Sequence, residues 1–191
     1  MIINIKRVAL TYVVELILLV LLSIIGFYVG PSFVSQSVIN SLRNQLISTA
    51  DLGPNYIFLH NLEIDSLMAI PVVGPLFFVL ALVMTGGFVL GVYVAYALNS
   101  IIGLVISLFI TMFFPHGIIE LLAYAFSTTG SITFTRDLIN SLRGGRRIGK
   151  GDVTALIIYY LISVILLYIA ANVEYFEITA LRGGLISSMI S

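Results

Sequence analysis

The sequence contains no cysteine, and only 9% of its 191 residues are charged. The first absence excludes disulfides, thiolate zinc sites and cysteine nucleophiles together. The second excludes an ordinary soluble domain, in which about a quarter of the residues carry charge. Basic and acidic residues number nine each, so no excess of positive charge argues for a nucleic-acid partner. A Gly-x-Ser-x-Gly elbow and a His-Glu-x-x-His pair are missing as well, which leaves serine hydrolysis and zinc proteolysis without their signatures. No catalytic residue, metal site or cofactor is assigned, and the chain reads as non-enzymatic.

What is present in quantity is hydrocarbon. Apolar residues make up 60% of the chain and the mean hydropathy is +1.14, so lipid is the main solvent. The pattern predicts an all-α, polytopic transmembrane helical bundle, a single integral membrane domain over residues 1–191, with spans at 8–30, 64–84, 86–114, 115–134 and 153–171. Thr85-Gly86-Gly87 and Pro115 are the natural breaks in the long uncharged stretch from Asp65 to Glu120, because glycine and proline punctuate helices. The first span follows Lys6 and Arg7 and is interrupted only by Glu15; it is too long for a signal-peptide core and reads as a retained anchor.

Basic residues set the orientation. Lys6, Arg7, Arg136, Arg143, Arg146, Arg147 and Lys150, seven of the nine, fall on one side of a five-span layout. That side is expected to be cytoplasmic, giving a multi-pass cell-membrane protein with its N-terminus inside and its C-terminus outside. Arg43 and Arg182 remain outside, with the acids Asp51, Glu63, Asp65, Glu174 and Glu177. After the first span, Val34, Val38, Ile39, Leu42 and Leu46 recur at helical spacing opposite Ser35, Gln36, Asn40, Arg43 and Asn44. This predicts an amphipathic helix on the outer leaflet. Leu138, Ile139 and Leu142 alternate with Arg136, Asn140 and Arg143 in the same manner, extending the fourth helix to Gly144-Gly145.

Gly87, Gly91, Ala95, Asn99, Gly103 and Ser107 stand four apart along the third span. Small residues at that period let backbones approach closely, and a mid-span asparagine can hydrogen-bond across the contact. The stripe serves either packing within the chain or a homodimer seam. Gly26 and Gly30 repeat the spacing in the first span, where chance suffices to explain it.

Ionisable groups within a membrane are costly and count as functional candidates. Glu15, His116 and Glu120 qualify, and the last two share a helix face. Their spacing suits a structural cap and hydrogen bond, a polar transport or proton site, or a pair of metal ligands; two ligands alone do not make a zinc site. At about 1.5 Å per residue, Glu120 falls roughly 7 Å below the outer boundary and Glu15 roughly 10 Å above the inner one, about 12 Å apart in level. An outer polar cluster of His60, Asn61, His116 and Glu120 is then feasible, with Glu15 apart from it.

The run from Gly144 to Gly151 superficially looks like a phosphate-binding loop, but it lacks the closing Ser or Thr and a preceding strand. Arg143, Arg146, Arg147 and Lys150 are better matched to anionic headgroups or a cytoplasmic partner, or set topology alone.

The stretch Phe114-Pro115-His116-Gly117-Ile118-Ile119-Glu120-Leu121, followed by Ala123 and Gly130, resembles the stage II sporulation protein M family, whose hallmark is a Pro-His-Gly-Ile-x-Glu segment. His60-Asn61 is similar to that family's paired-asparagine element, with His60 as a departure. Thr85-Gly86-Gly87 through Gly91 is similar to its Asn-Gly…Gly element, with Gly86 in place of asparagine. The likeness covers roughly residues 55 to 150. It implies a multi-span module, either a scaffold like the namesake, which organises peptidoglycan-degrading partners, or a transport-like unit, with His116 and Glu120 as the matching positions. Two functions follow as expectations. One is a membrane scaffold whose partners are lipids and other membrane proteins or a second copy in a homodimer. The other is a transporter or channel subunit using the outer polar cluster.

Overall fold

The computed structural model describes residues 3–49 and 52–190, with the backbone alone for 46–49 and 181–190; Asp51 lies outside the described residues. Every regular element among the described residues is helical. Helix α1 (Ile5–Val29) starts where the Asn4 side chain accepts the Arg7 amide at 3.2 Å, a cap that replaces a missing intrahelical acceptor. A short 3-10 turn (Gly30–Ser32) leads to α2 (Gln36–Thr49), the amphipathic helix, which buries Ile39.

The region between residues 53 and 113 departs from the expected spans. Helix α3 (Gly53–Ala69) stops before Pro71, and α4 (Gly74–Leu82) begins after it. The chain does not break at Thr85-Gly86-Gly87. Those residues lie inside a wide-turned π-helical stretch (Val83–Tyr93) that joins α4 to α5 (Val94–Leu98) as one rod. The break instead falls at Asn99, which adopts the left-handed conformation (φ 44°), a conformation asparagine tolerates better than most residues. Ser100 then caps α6 (Ile101–Phe113), its hydroxyl facing the Gly103 amide at 3.4 Å. Periodicity missed both breaks because apolar residues continue straight through them. Helix α7 (Pro115–Leu142) begins at Pro115 and ends before Gly144 (φ 85°), both as the sequence predicts, and α8 (Lys150–Ile190) completes the chain.

Among the described residues, three helical segments are long and apolar enough to cross a membrane, namely Ile5–Ser32, Gly74–Leu98 and Lys150–Ala180; α6 and α7 meet that standard together across a 65° bend. Five such spans were expected. The shortfall is α3, whose 17 residues include His60, Glu63 and Asp65. The chain nevertheless makes five passes along the bundle. Thr11 meets Thr129 and Arg7 meets Thr133, so α1 and α7 are antiparallel. Asp65 meets Ser127 and Ile70 meets Ser131, so α3 runs with α7. The rod from Gly74 runs with α1, and α8 runs against α7.

Close backbone contact fixes the relation of the Gly74–Leu98 rod to α1. A side chain at Gly26 would collide with the Gly87 carbonyl, and one at Gly91 would sit 2.7 Å from the Gly26 Cα. Gly26, set aside as coincidence from sequence, is thus half of the close contact between α1 and the Gly74–Leu98 rod. Gly117 does the same work at the α6–α7 bend, where a Cβ would strike the Thr111 carbonyl. The four-residue stripe is therefore divided. Gly87 and Gly91 face α1, Asn99 is exposed at the turn and crosses no helix contact, and Gly103 packs on Leu98. Ala95 stays on α5, while Ser107 on α6 lends its carbonyl to Thr111.

A carboxylate-lined cavity between α1, α3, α4 and α7

The half of the bundle nearer the N-terminus of α1 is closed by small polar side chains. On α7, Ser127, Thr128, Thr129 and Ser131 are all buried. Ser131 donates to the Ile70 carbonyl at 2.7 Å, and Thr135 accepts the Val72 amide at 2.7 Å, which clamps the α3–α4 turn onto α7. At the top of this layer sits Asp65, with no exposed surface. Ser127 donates to one of its carboxylate oxygens, and Ser163 donates to the other at 2.6 Å. The sequence reading counted Asp65, at the start of the expected 64–84 span, among the acids on the outer side. It belongs to the interior, and its helical spacing with buried Asn61 and Met68 was the available signal.

Above Asp65 the helices part. A cavity of about 350 Å³ opens there, walled by Glu15 on α1, His60 and Asn61 on α3, Thr85 on the π stretch, Thr111 on α6, and His116, Glu120 and Tyr124 on α7. The rest of the wall is apolar, including Leu19, Met68, Phe77 and Leu82. Leu67, Leu80 and Met84 border it while remaining exposed on the outer face of the bundle, so the opening faces sideways between α3 and the α4 rod, toward the bilayer.

The four residues of the expected outer cluster all reach this cavity, and Glu15 joins them. Its expected separation from Glu120 does not hold. The Thr129–Thr11 hydrogen bond fixes the register of the two helices; Glu15 is four residues beyond Thr11 and Glu120 nine residues beyond Thr129, in the same direction. Their levels therefore differ by about 7–8 Å at about 1.5 Å per residue. Counting inward from two assumed membrane boundaries had inflated the figure.

The polar partners are distributed unevenly. Glu120 accepts the Tyr124 hydroxyl at 2.9 Å within its own helix. His116 pairs through Nδ1 with Glu177 of α8, and not with Glu120. His60 is exposed at the rim. Glu15 is 1% exposed, and its Oε2 has no hydrogen-bond partner among the described residues. Among the described residues, no three His, Asp or Glu side chains come close enough together to hold one metal ion. The two ion pairs among the described residues are His116–Glu177 and Arg146–Asp152, so no lysine or arginine neutralises Glu15, Asp65 or Glu120.

At the other end, Arg143, Arg146, Arg147 and Lys150 are all exposed in the α7–α8 connection. Arg146 donates to Asp152 at 2.6 Å, and the Gly149 amide donates to the same carboxylate at 2.8 Å. The other three basic side chains remain on the surface.

No curated protein and no solved structure matches the chain. A sequence model of one family, described as stage II sporulation protein M, does match, from residue 15 to residue 177. That interval runs from Glu15 of the cavity to the Glu177 that holds His116, and includes every helix between them. By this match over most of its length, the chain is a multi-pass membrane protein belonging to the stage II sporulation protein M family.

Proposed function

We propose that the protein is a transporter-type membrane subunit that accepts a small ligand in the cavity between α1, α3, α4 and α7. One observation carries this reading: a carboxylate oxygen of Glu15, buried and unpartnered, lines an open cavity. An isolated carboxylate in hydrocarbon is among the most costly groups a chain can bury. Asp65, less than a turn away in level by the same register, is fully hydrogen-bonded. The other buried side-chain oxygen without a partner among the described residues, Thr128 Oγ1, is a neutral hydroxyl outside the cavity wall. Glu15 is the carboxylate left in that condition, and such a group is satisfied by something the described residues do not supply.

The orientation that suits this reading has the N-terminus in the cytoplasm and the C-terminus outside. The exposed cluster Arg143, Arg146, Arg147 and Lys150 then meets the anionic inner leaflet, and the rim at His60 and His116 lies in the outer half. The partner-organising role, with or without a homodimer, would be exercised on the lipid-facing helix surfaces and would leave the cavity carboxylates replaceable. That difference is measurable. In the cysteine-free chain, Thr111→Cys sets a single thiol in the cavity wall. Reconstituted in nanodiscs, it should react with a small cationic methanethiosulfonate, and Glu15→Gln in the same chain should slow the reaction. A thiol that reacts only after denaturation would show the cavity closed to ligands and remove the reading.

A further inference from the structure

The walls of the cavity define what fits it, and they do so with two chemistries at once. One end is acidic. Glu15 offers an oxygen with no partner, and Glu120 has given one oxygen to Tyr124, leaving acceptor capacity on both carboxylates. No hydrogen bond from a basic side chain reaches either among the described residues: of the two histidines in the wall, His116 is engaged by Glu177 and His60 stacks on Tyr56 at the exposed rim. The other end is hydrocarbon, formed by Leu19, Met68, Phe77 and Leu82. An anion is excluded by the first feature, and a small hydrated ion gains nothing from the second. Coordination of a divalent cation would need three or more close ligands, which the described side chains do not assemble.

We propose, resting on the cavity reading above, that the cavity takes a lipophilic amine, its ammonium between Glu15 and Glu120 and its apolar body against Leu19, Phe77 and Leu82. An ammonium has three donors and no acceptor, which is the complement of two carboxylates with spare lone pairs. Charge-assisted hydrogen bonds are the strong ones in a low-dielectric site, and the Phe77 and Tyr124 rings add surfaces on which a cation is stabilised. The volume of about 350 Å³ lies at the small end of ligand pockets, which favours a single ring or a short chain over a whole phospholipid. The route is set by exposure: Leu67, Leu80 and Met84 border the opening and face lipid, so the occupant is one that first partitions into the bilayer.

The experiment is equilibrium binding to the full chain in phosphatidylcholine nanodiscs, with empty discs subtracted. The probes are radiolabelled 4-phenylbutylamine and its neutral counterpart 4-phenylbutanol. The amine should bind saturably with one site per chain, and the alcohol roughly tenfold or more weakly, the value of one charge-assisted contact. Glu15→Gln should lower amine affinity by a similar factor and leave the alcohol unchanged; Glu120→Gln provides the same test should the first variant express poorly. Equal binding of amine and alcohol would overturn the inference, as would an amine preference that survives both variants. If the amine does not bind but the Thr111→Cys thiol still reacts, the ligand class is wrong and the cavity reading stands. If neither occurs, both fail.

Discussion

Asp65 and Glu15 are both carboxylates with essentially no exposed surface, two helices apart in one bundle. Asp65 receives a hydroxyl on each oxygen, from Ser127 and Ser163. Glu15 has an oxygen that receives nothing. The same functional group thus serves opposite ends: below, it knits α3, α7 and α8 into a solid layer; above, it leaves the space between helices chemically demanding. Burial of a charge alone does not reveal a working site. The inventory of its partners does.

Replacing Asp65 should do the most damage. Asp65→Leu leaves the buried Ser163 hydroxyl without an acceptor, an unmet group costing about 1–3 kcal/mol, and leaves Ser127 only the Tyr124 carbonyl at 3.1 Å. A loss of about 3 kcal/mol is therefore expected in detergent unfolding monitored by circular dichroism. Stability within experimental error of the parent would mean that the layer is not where the bundle is held.

Gly26→Leu comes next. The Gly87 carbonyl occupies the space a side chain would need, and overpacking of this kind costs about 1–3 kcal/mol. A melting temperature unmoved by the change would show that α1 and the Gly74–Leu98 rod do not touch.

A smaller effect is expected at His116 and Glu177. Sequence spacing had coupled His116 to Glu120, whereas the contact is with Glu177. In double-mutant cycles on thermal stability, His116→Ala should be coupled to Glu177→Gln by about 1 kcal/mol and additive with Glu120→Gln. The reverse pattern would return His116 to its neighbour on α7. Smallest of all is Glu15→Gln, which removes a charge without removing a partner; it should leave the melting temperature unchanged or slightly raise it. A loss as large as that for Asp65→Leu would erase the distinction between the two acids.

Much of this was legible in the residues. Low charge and long apolar runs gave a helical membrane bundle, and the His-Gly-x-x-Glu element gave the family. Pro115 and Gly144 were read as helix ends because both act locally, through backbone sterics. Asn99 was not, because its role as a turn depends on the chain reversing there, and a lone asparagine in an apolar run reads equally as a buried hydrogen-bonding group. Gly26 was discounted for want of a partner that only tertiary register supplies. Asp65 was counted on the outer side because charge counting treats every acid near a span end as exposed. The hydroxyls that satisfy it lie 62 and 98 residues away, and no local pattern reports such a distance. Glu15 was singled out as an ionisable group in an apolar span, but its neighbourhood follows from the α1–α7 register and not from depth.

The wide-turned stretch Val83–Tyr93 gives the Gly74–Leu98 rod an adjustable phase. A π turn holds one residue more than an α turn, so tightening one such turn would advance everything beyond it by one residue, about 100° of rotation and 1.5 Å of travel. Tyr96 lies beyond it, and its hydroxyl donates to the carbonyls of Val34 at 2.7 Å and Pro31 at 3.2 Å. Those two bonds act as a detent: they hold the rod at one angular setting, and with it the direction in which Met84 and Thr85 face.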